Sequence, residues 1–551
     1  MNYELCIKRV ILFTSPIVLW LLCQLLPTFD DWTYYTAPYM GSLFSSRLLP
    51  MDSWWRPFDH VFGWIVGLNY RLFPTLNHVF VYAAHLMNTL LVWHIARLLR
   101  FTPFGRTVAV GFFYLSPAML GTVTGIDSLN QAYSHFWGLL AMSIYLREAS
   151  FRGERRGERG ERIVLIPQSS HSTLLSPLST LLCILCILIA TLCKENGYMW
   201  GIIAPLVAWG FQLIDRRRLL RHWALVIALG IAYLVVRLLL TTSQVDINNE
   251  YFDVTLTNRL KDIATFVGLT WIPIDYVSLF NLSTQHAAPL HTNGELFVQL
   301  LLSPLRDSDR WFNFSTFQLL ISAALVMPFM LYAYFRKPRN IFKKQHLVLF
   351  AGIILAALPH LITLFTTMHA YAGLSMAALS IAWLVAPSQP PPKGGGVTTA
   401  LPDWSPPPSG GGWEGASWAS KVLFALFLIG VLAVDIHHGI AAWKSGLMGR
   451  QMGIQAVSKT GSPVQRVSII YINTGERRYS SFCCIPYEAF AWGNTAIYQT
   501  GYQWPNDFQY HEIAGGPDEH QQALALARKD IDLGNCQCAW IVRKDQIEVV
   551  R

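Results

Sequence analysis

The chain has 551 residues, of which 53% are hydrophobic and only 14% charged, with a formal net charge of +9 and a mean hydropathy of +0.34. A water-soluble protein carries roughly a quarter charged residues, so this composition excludes an ordinary soluble enzyme and makes lipid the solvent for much of the surface. The excess of Lys and Arg falls in short runs between apolar stretches and not on one amphipathic face, which excludes a nucleic-acid partner and points to membrane topology.

A membrane-crossing helix needs about 20 mainly apolar residues, because hydrocarbon offers no partner to backbone groups. Such stretches lie near 10–27, 77–96, 107–121, 131–146, 175–193, 198–214, 223–241, 315–335, 346–366, 369–387 and 420–438. The predicted architecture is therefore mainly α, a polytopic membrane protein of about 11 transmembrane helices, with residues 1–387 as its membrane domain. The first helix follows Lys8 and Arg9 but is followed in turn by bulky Leu25, Leu26, Pro27 and Phe29, so it reads as a retained helix and not a cleaved signal peptide.

Every second loop is basic: Lys8 and Arg9; Arg97, Arg100 and Arg106; the run FRGERRGERGER at 151–162; Arg216, Arg217, Arg218 and Arg221; then Arg336, Lys337, Arg339, Lys343 and Lys344. Because basic short loops stay in the cytoplasm, this alternation predicts a bacterial-type inner membrane location, a cytoplasmic N-terminus, large exterior loops at 28–76 and 242–314, and a periplasmic or equivalent exterior C-terminus.

Residues 388–418 contain PPPKGGG and PPPSGGG, a Pro/Gly tract that buries no apolar surface and reads as a disordered cytoplasmic loop. Residues 419–440 are the last transmembrane helix. Residues 441–551 read as a small α/β domain, with strands at 467–472 and 538–542 flanking a helix at 519–530. Its Cys483, Cys484, Cys536 and Cys538 suit disulfides if that side is oxidising; a four-thiolate metal site is the competing reading, and connectivity is open.

Candidate chemistry begins in the first exterior loop, where Asp30 and Asp31 follow the first helix and Trp54, Trp55, Arg56, Pro57, Phe58, Asp59 and His60 come later. Two adjacent carboxylates at a helix end are either a solvated loop start or a general base and metal ligand pair for Mg or Mn. Arg56 suits either headgroup anchoring or bidentate pairing with a phosphate. The stretch HVFGWIVGLNYRLF at 60–73 has helical spacing yet stops at Pro74, so it reads as a helix lying in the interface. Lys194 and Glu195, at an exterior helix end, are either a mutual ion pair or part of a site. Asp127 and His135 flank the second exterior loop, and His135 reads more readily as a hydrogen-bonded core residue than as a catalytic one. His85, His94 and His360 read as structural.

The order of elements then resembles a family. A hydrophobic first helix, Asp30-Asp31, the W-R-P-F segment at 55–58, LNHVFVYAAHLMNTLLVWHIARLL at 76–99, FFYLSPAMLGTVTGIDSLNQAYSHFWGLLAMSIYLRE at 112–148 and ATLCKENGYMW at 190–200 look like the GT-C superfamily of integral-membrane glycosyltransferases. The likeness is to the protein O-mannosyltransferase-like branch and the TPR-bearing transmembrane O-mannosyltransferases, without the TPR repeats. It covers residues 1–215 well, 216–387 weakly, and the C-terminal domain not at all.

The resemblance implies a sugar donor on a polyprenyl phosphate or diphosphate, a glycan, lipid or protein acceptor, membrane lipids as surroundings, and Asp30 or Asp31 as base. It assigns the substrate contacts to Arg56, His60, Asp127, Lys194, Glu195, His369 and Tyr371. One departure stands out: the family's Arg-Tyr-x-Tyr run is here Met368, His369, Ala370 and Tyr371, which leaves His369 in place of an arginine. A transporter or flippase, and a non-catalytic membrane assembly protein, are the competing functions. The clustering of ionisable groups at helix ends, with no paired inverted repeat of broken helices, weighs against transport.

Overall fold

Pro, Ser and Thr punctuate the apolar runs and set where helices begin. Thr102 caps one helix by accepting from Gly105 N at 3.1 Å, with Pro103 in its first turn, and Ser176 caps another through Ser179 N at 3.2 Å, with Pro177 in its first turn; both use a residue with no amide to leave unpaired. In the computed structural model the described residues are 3–26, 56–68, 74–158, 176–240, 256–271, 320–336, 338–361, 367–386, 418–473, 507–543 and 546–551.

The helices are α1 Tyr3–Leu22, α2 Pro57–Leu68, α3 His78–Leu98, α4 Pro103–Leu115, α5 Leu120–Val123, α6 Leu129–Glu158, α7 Pro177–Cys193, α8 Trp200–Gly210, α9 Arg216–Leu240, α10 Leu256–Trp271, α11 Met327–Phe335, α12 Lys344–Ala357, α13 Tyr371–Val385, α14 Trp418–Thr460 and α15 Glu519–Asp532. Among the described residues, four helices are long and apolar enough to cross a membrane: Thr75–Leu98, Arg216–Val236, Met368–Val385 and Trp418–Ile440. Shorter apolar helices cover Pro177–Cys193, Ser322–Phe335 and Lys344–Ala357.

Two faces show what surrounds the bundle. Along α9, Leu225, Ile227, Leu229, Ile231, Leu234, Val235, Val236 and Leu239 are all exposed, and along α7 so are Leu178, Leu181, Leu182, Leu185 and Leu188. An apolar surface this continuous is untenable in water, whereas hydrocarbon solvates it at no cost. Helix α13 is the opposite case, buried at every position. Its small residues admit close neighbours: a side chain at Gly373 would meet Phe266 and Ile353. Gly138 is tighter still, since a Cβ there would fall inside the Trp200 indole. Gly138→Ala is therefore expected to destabilise the bundle by about 1–3 kcal/mol, seen as a lower melting temperature in detergent.

The bundle has two chemically distinct ends. At one, Lys8 and Arg97 lie over the Trp93 ring at 4.4 and 6.0 Å, Lys344 over Trp209 at 3.5 Å, and Lys343 over Trp383 at 5.7 Å. These residues come from loops read as alternate basic loops in the sequence. The other end carries Arg56, Asp59, Asp127, Lys194 and Glu195.

Three elements differ from the sequence reading. The interfacial helix begins at Pro57, a turn earlier than the expected start at 60, because Pro57 fits a first turn and Asp59 favours the helix N-terminus. Within 242–314, expected as one exterior loop, α10 packs against α12 and α13 and runs from the turns at Leu358–Leu361 and Thr367–Ala370 down to Trp271. There the Trp271 ring meets Tyr334 at 4.8 Å and His346 at 6.0 Å. The last crossing, expected to stop near 438, continues as one helix to Thr460. Residues 441–460 contain no Pro, so the fall in hydropathy marks a change of solvent and not the end of the helix.

That extension becomes part of the C-terminal domain. Strands β1 Arg466–Asn473, β2 Asp507–Ala514, β3 Cys538–Arg543 and β4 Gln546–Val550 form a sheet of order β2-β1-β3-β4, parallel between β1 and its two neighbours and antiparallel between β3 and β4. Period-two alternation sends Val467, Ile469, Tyr471, Cys538, Trp540 and Val542 to one face, against Met452, Ala456 and Val457 of α14. Ile470, Ile472, Ala539 and Ile541 pack on Ala523 and Ala527 of α15 at the other. The Trp540 indole N–H donates to Thr460 Oγ1 at 2.9 Å, tying helix to sheet. Cys536 and Cys538 are buried and not bonded to any described cysteine, burial pushing the Cys538 thiol up to about 11; Cys483 and Cys484 lie outside the described residues.

Candidate functional site

The charged end is assembled from helix termini. Helix α2 is seated by Phe62, whose ring lies 5.0 Å from Tyr133, and by Val66, which packs with Val81, Ala84, Ile126, Leu129 and Ala132. Asn77 Nδ2 donates to Val66 O at 3.2 Å and closes the connection to α3. This seating carries Arg56, the residue before the helix, to Glu195: Nη2 lies 2.8 Å from Oε2, and Nε is 3.0 Å from both carboxylate oxygens. Both side chains are about three-quarters buried, at 22% and 24% exposure.

Glu195 opens a 3-10 turn, Glu195–Met199, that follows α7 directly. Lys194 between them is extended, φ −157° and ψ 141°, so the adjacent Lys and Glu side chains point apart and Glu195 pairs with Arg56. A Cβ at Gly197 would collide with the Ala190 carbonyl, so the turn closes on the end of α7 only with glycine. Asn196 locks it to α6, Nδ2 donating to Gln131 Oε1 at 3.2 Å and Oδ1 accepting from Ser134 Oγ at 3.3 Å. Asp59 Oδ1 accepts from Asn130 Nδ2 at 3.2 Å, and Asp127 Oδ1 from Ser128 Oγ at 3.3 Å.

Lys194 is the unusual group. It is 5% exposed, and among the described residues its ammonium contacts only a thioether, Met368 Sδ at 3.8 Å. Met368 is itself held by Thr122 Oγ1, which donates to its carbonyl at 3.2 Å. Burial, and then the neighbouring Arg56 charge, pull the Lys194 ammonium down from 10.5 to about 8, against the opposing pull of Asp127, Glu195 and Asp59. A buried cation without a carboxylate in direct contact lacks the compensation that buried charges ordinarily find, and an anion of the right size would supply it.

The structure thus brings Arg56, Asp127, Lys194 and Glu195 into one cap. His60 and His369 are buried, at 2% and 8% exposure. Tyr371 lies in the packed core: its hydroxyl donates to His85 Nδ1 at 3.0 Å and accepts from Asn88 Nδ2 at 3.0 Å. The direction follows from His85 Nε2, which donates to the Tyr114 carbonyl at 3.2 Å and leaves Nδ1 as the acceptor of a neutral ring. His135 packs against Tyr371 and Trp200, with ring centroids 4.9 and 5.0 Å away. Asp30 and Asp31 lie outside the described residues, and among the described residues no cluster of His, Cys, Asp or Glu is placed to hold a metal ion.

Sequence reading missed Asn130, Gln131, Asn196 and Met368. A signal for the first two was available, since Ser128, Asn130 and Gln131 crowd the start of α6, where polar side chains gather only if something there needs hydrogen bonds.

No protein-family model and no curated protein matches this chain. Among solved structures it is similar to the crystal structure of the Archaeoglobus fulgidus oligosaccharyltransferase in the apo form, at 12% identity and a TM-score of 0.37, over 90% of this chain and 62% of that one. The chain thus spans less than two thirds of that protein's length.

Proposed function

We propose that this chain is a GT-C-type membrane glycosyltransferase that takes a sugar from a polyprenyl-phosphate-linked donor and passes it to a hydroxyl of a glycan, lipid or protein acceptor. The observation that carries the reading is Lys194, a buried ammonium facing a thioether at the membrane-surface end of the bundle, beside Arg56 and the carboxylates of Asp59, Asp127 and Glu195.

In the reaction, the acceptor oxygen bonds to the sugar's anomeric carbon while the bond from that carbon to the phosphate oxygen breaks. The electron pair leaves with the phosphate, whose charge Lys194 stabilises. The acceptor's proton goes to a carboxylate, for which Asp30 or Asp31 is the proposed base. Arg56 is already matched by Glu195, so its proposed part is to hold that carboxylate and shape the positive edge of the cap. A divalent metal such as Mg or Mn, held by whichever of Asp30 and Asp31 is not the base, would supply further positive charge for the leaving phosphate. The basic loops support an inner-membrane protein with a cytoplasmic N-terminus, the charged cap and the C-terminal domain then lying on the exterior side.

The test is sugar transfer from a radiolabelled lipid-linked donor in membranes containing the Asp30→Asn and Asp31→Asn variants. Loss of a general base is expected to slow transfer by about 10²–10⁴-fold in one of them. Unchanged transfer in both would overturn the reading, and lost vesicle uptake without a change in glycan would replace it with transport.

A further inference from the structure

At the opposite end of the bundle, the connection from α11 to α12 holds a set of cations with no acid paired to them among the described residues. The chain carries no Asp or Glu between Asp309 and Asp403. Arg336, Arg339, Lys343 and Lys344 make no ion pair among the described residues. Their charges rest on aromatic faces and neutral oxygens: Arg336 lies 5.3 Å over the Tyr332 ring and donates to Val385 O at 3.4 Å and to Ser420 Oγ at 3.3 Å. Lys343 and Lys344 lie over Trp383 and Trp209, and Arg339 is exposed.

Two more features converge on this loop. Lys343, the residue before α12, gives it no side-chain cap, so the first-turn amides carry partial positive charge. Beneath it, Asn340, 5% exposed, has an Nδ2 without a partner, and His346, 1% exposed, has an unpartnered Nε2 while its Nδ1 donates to Ile341 O at 2.8 Å. The flanks are apolar and open: Phe335 is 70% exposed, Phe342 78% and Leu347 47%.

We propose that Phe335, Arg339, Phe342, Lys343, Lys344 and Leu347 form a binding site for the phosphodiester headgroup of an anionic phospholipid. Phe335, Phe342 and Leu347 face the acyl chains, and Arg339, Lys343, Lys344 and the start of α12 face the phosphate. Cations stacked on indole rings keep their charge without a carboxylate competing for it. A zwitterionic lipid offers the same phosphate, but its choline is repelled by Arg339, Lys343 and Lys344. The site does not depend on the proposed sugar transfer.

Native mass spectrometry of the full chain in detergent, titrated with phosphatidylglycerol or with phosphatidylcholine of the same acyl chains, tests it. The wild type is expected to retain phosphatidylglycerol preferentially, and to lose that preference in high salt. Each cation removed is expected to weaken retention about 5-fold, so about 25-fold for K343Q/K344Q. R339Q, at an exposed position, serves as the second variant should the double variant not fold, and is expected to lose about 5-fold. Equal retention of the two lipids, or an undiminished preference in these variants, would overturn the proposal. Displacement of the lipid by excess inorganic phosphate would also overturn it, by making the ligand a soluble anion.

Discussion

Replacing Lys194 by Met is expected to slow sugar transfer by about 10²–10³-fold while leaving the protein at least as stable as the parent. The two effects have opposite signs because one buried charge causes both. Methionine nearly matches the length of the lysine stem and can pack against Met368 without a cavity, so the variant isolates the loss of charge. The ammonium is held at about 8 against an ordinary 10.5, so folding disfavours its charged form. That penalty is present in full below about pH 8 and is relieved as pH rises towards 10.5, where the unfolded chain still binds the proton. Removing the charge should therefore raise stability at neutral pH by on the order of 3 kcal/mol. A group kept only for structure would show the reverse, lower stability with transfer falling merely in proportion to folded protein.

The second large effect is on pH dependence. With Lys194 titrating at about 8, its charged fraction falls about tenfold between pH 7 and pH 9, and the KM for the lipid-linked donor is expected to rise by the same factor over that range. Desolvation by burial is the first cause of the lowered value, with the Arg56 charge second. Lys194→Arg keeps its charge throughout and should flatten the alkaline limb even if its longer fork lowers the rate. A profile that the arginine variant leaves unaltered would assign the limb to another group.

Much of the architecture could be read from the sequence because lipid imposes a simple rule on it. Apolar runs separated by Arg and Lys clusters translate into helices whose basic ends gather together, and Lys8, Arg97, Lys343 and Lys344 do meet Trp rings at one end of the bundle. Helix α10 escaped that rule. Asn258, Arg259, Lys261 and Asp262 occupy its first two turns, so no long apolar run exists, although Phe266 and Leu269 are fully packed against the core. The continuity of α14 was hidden for a related reason: Met452, Ala456 and Val457 are apolar towards a sheet, but Lys444, Ser445, Arg450, Gln451, Gln455, Ser458 and Lys459 break up the stretch, and hydropathy alone reads that as the end of a span.

The candidate site was legible one residue at a time and not as a set. Arg56, Asp127, Lys194 and Glu195 each stand out as charges at helix ends, but Arg56 and Glu195 are 139 positions apart, and nothing local announces their pairing. Adjacency left open that Lys194 and Glu195 neutralise each other. The extended backbone at Lys194 separates them, and that separation is what leaves the ammonium against a sulfur atom. Tyr371 is a converse case: its place beside His369 suggested the cap, whereas the first turn of α13 buries its hydroxyl between His85 and Asn88.

The most direct measurement is a structure of the full-length protein with a bound polyprenyl phosphate. The expected result is a phosphate oxygen within ion-pair distance of Lys194 Nζ, with the Arg56–Glu195 pair intact at its edge and Asp30 and Asp31 facing the same space. A phosphate held elsewhere, with Lys194 still against Met368 alone, would contradict the assignment of this cap as the donor site.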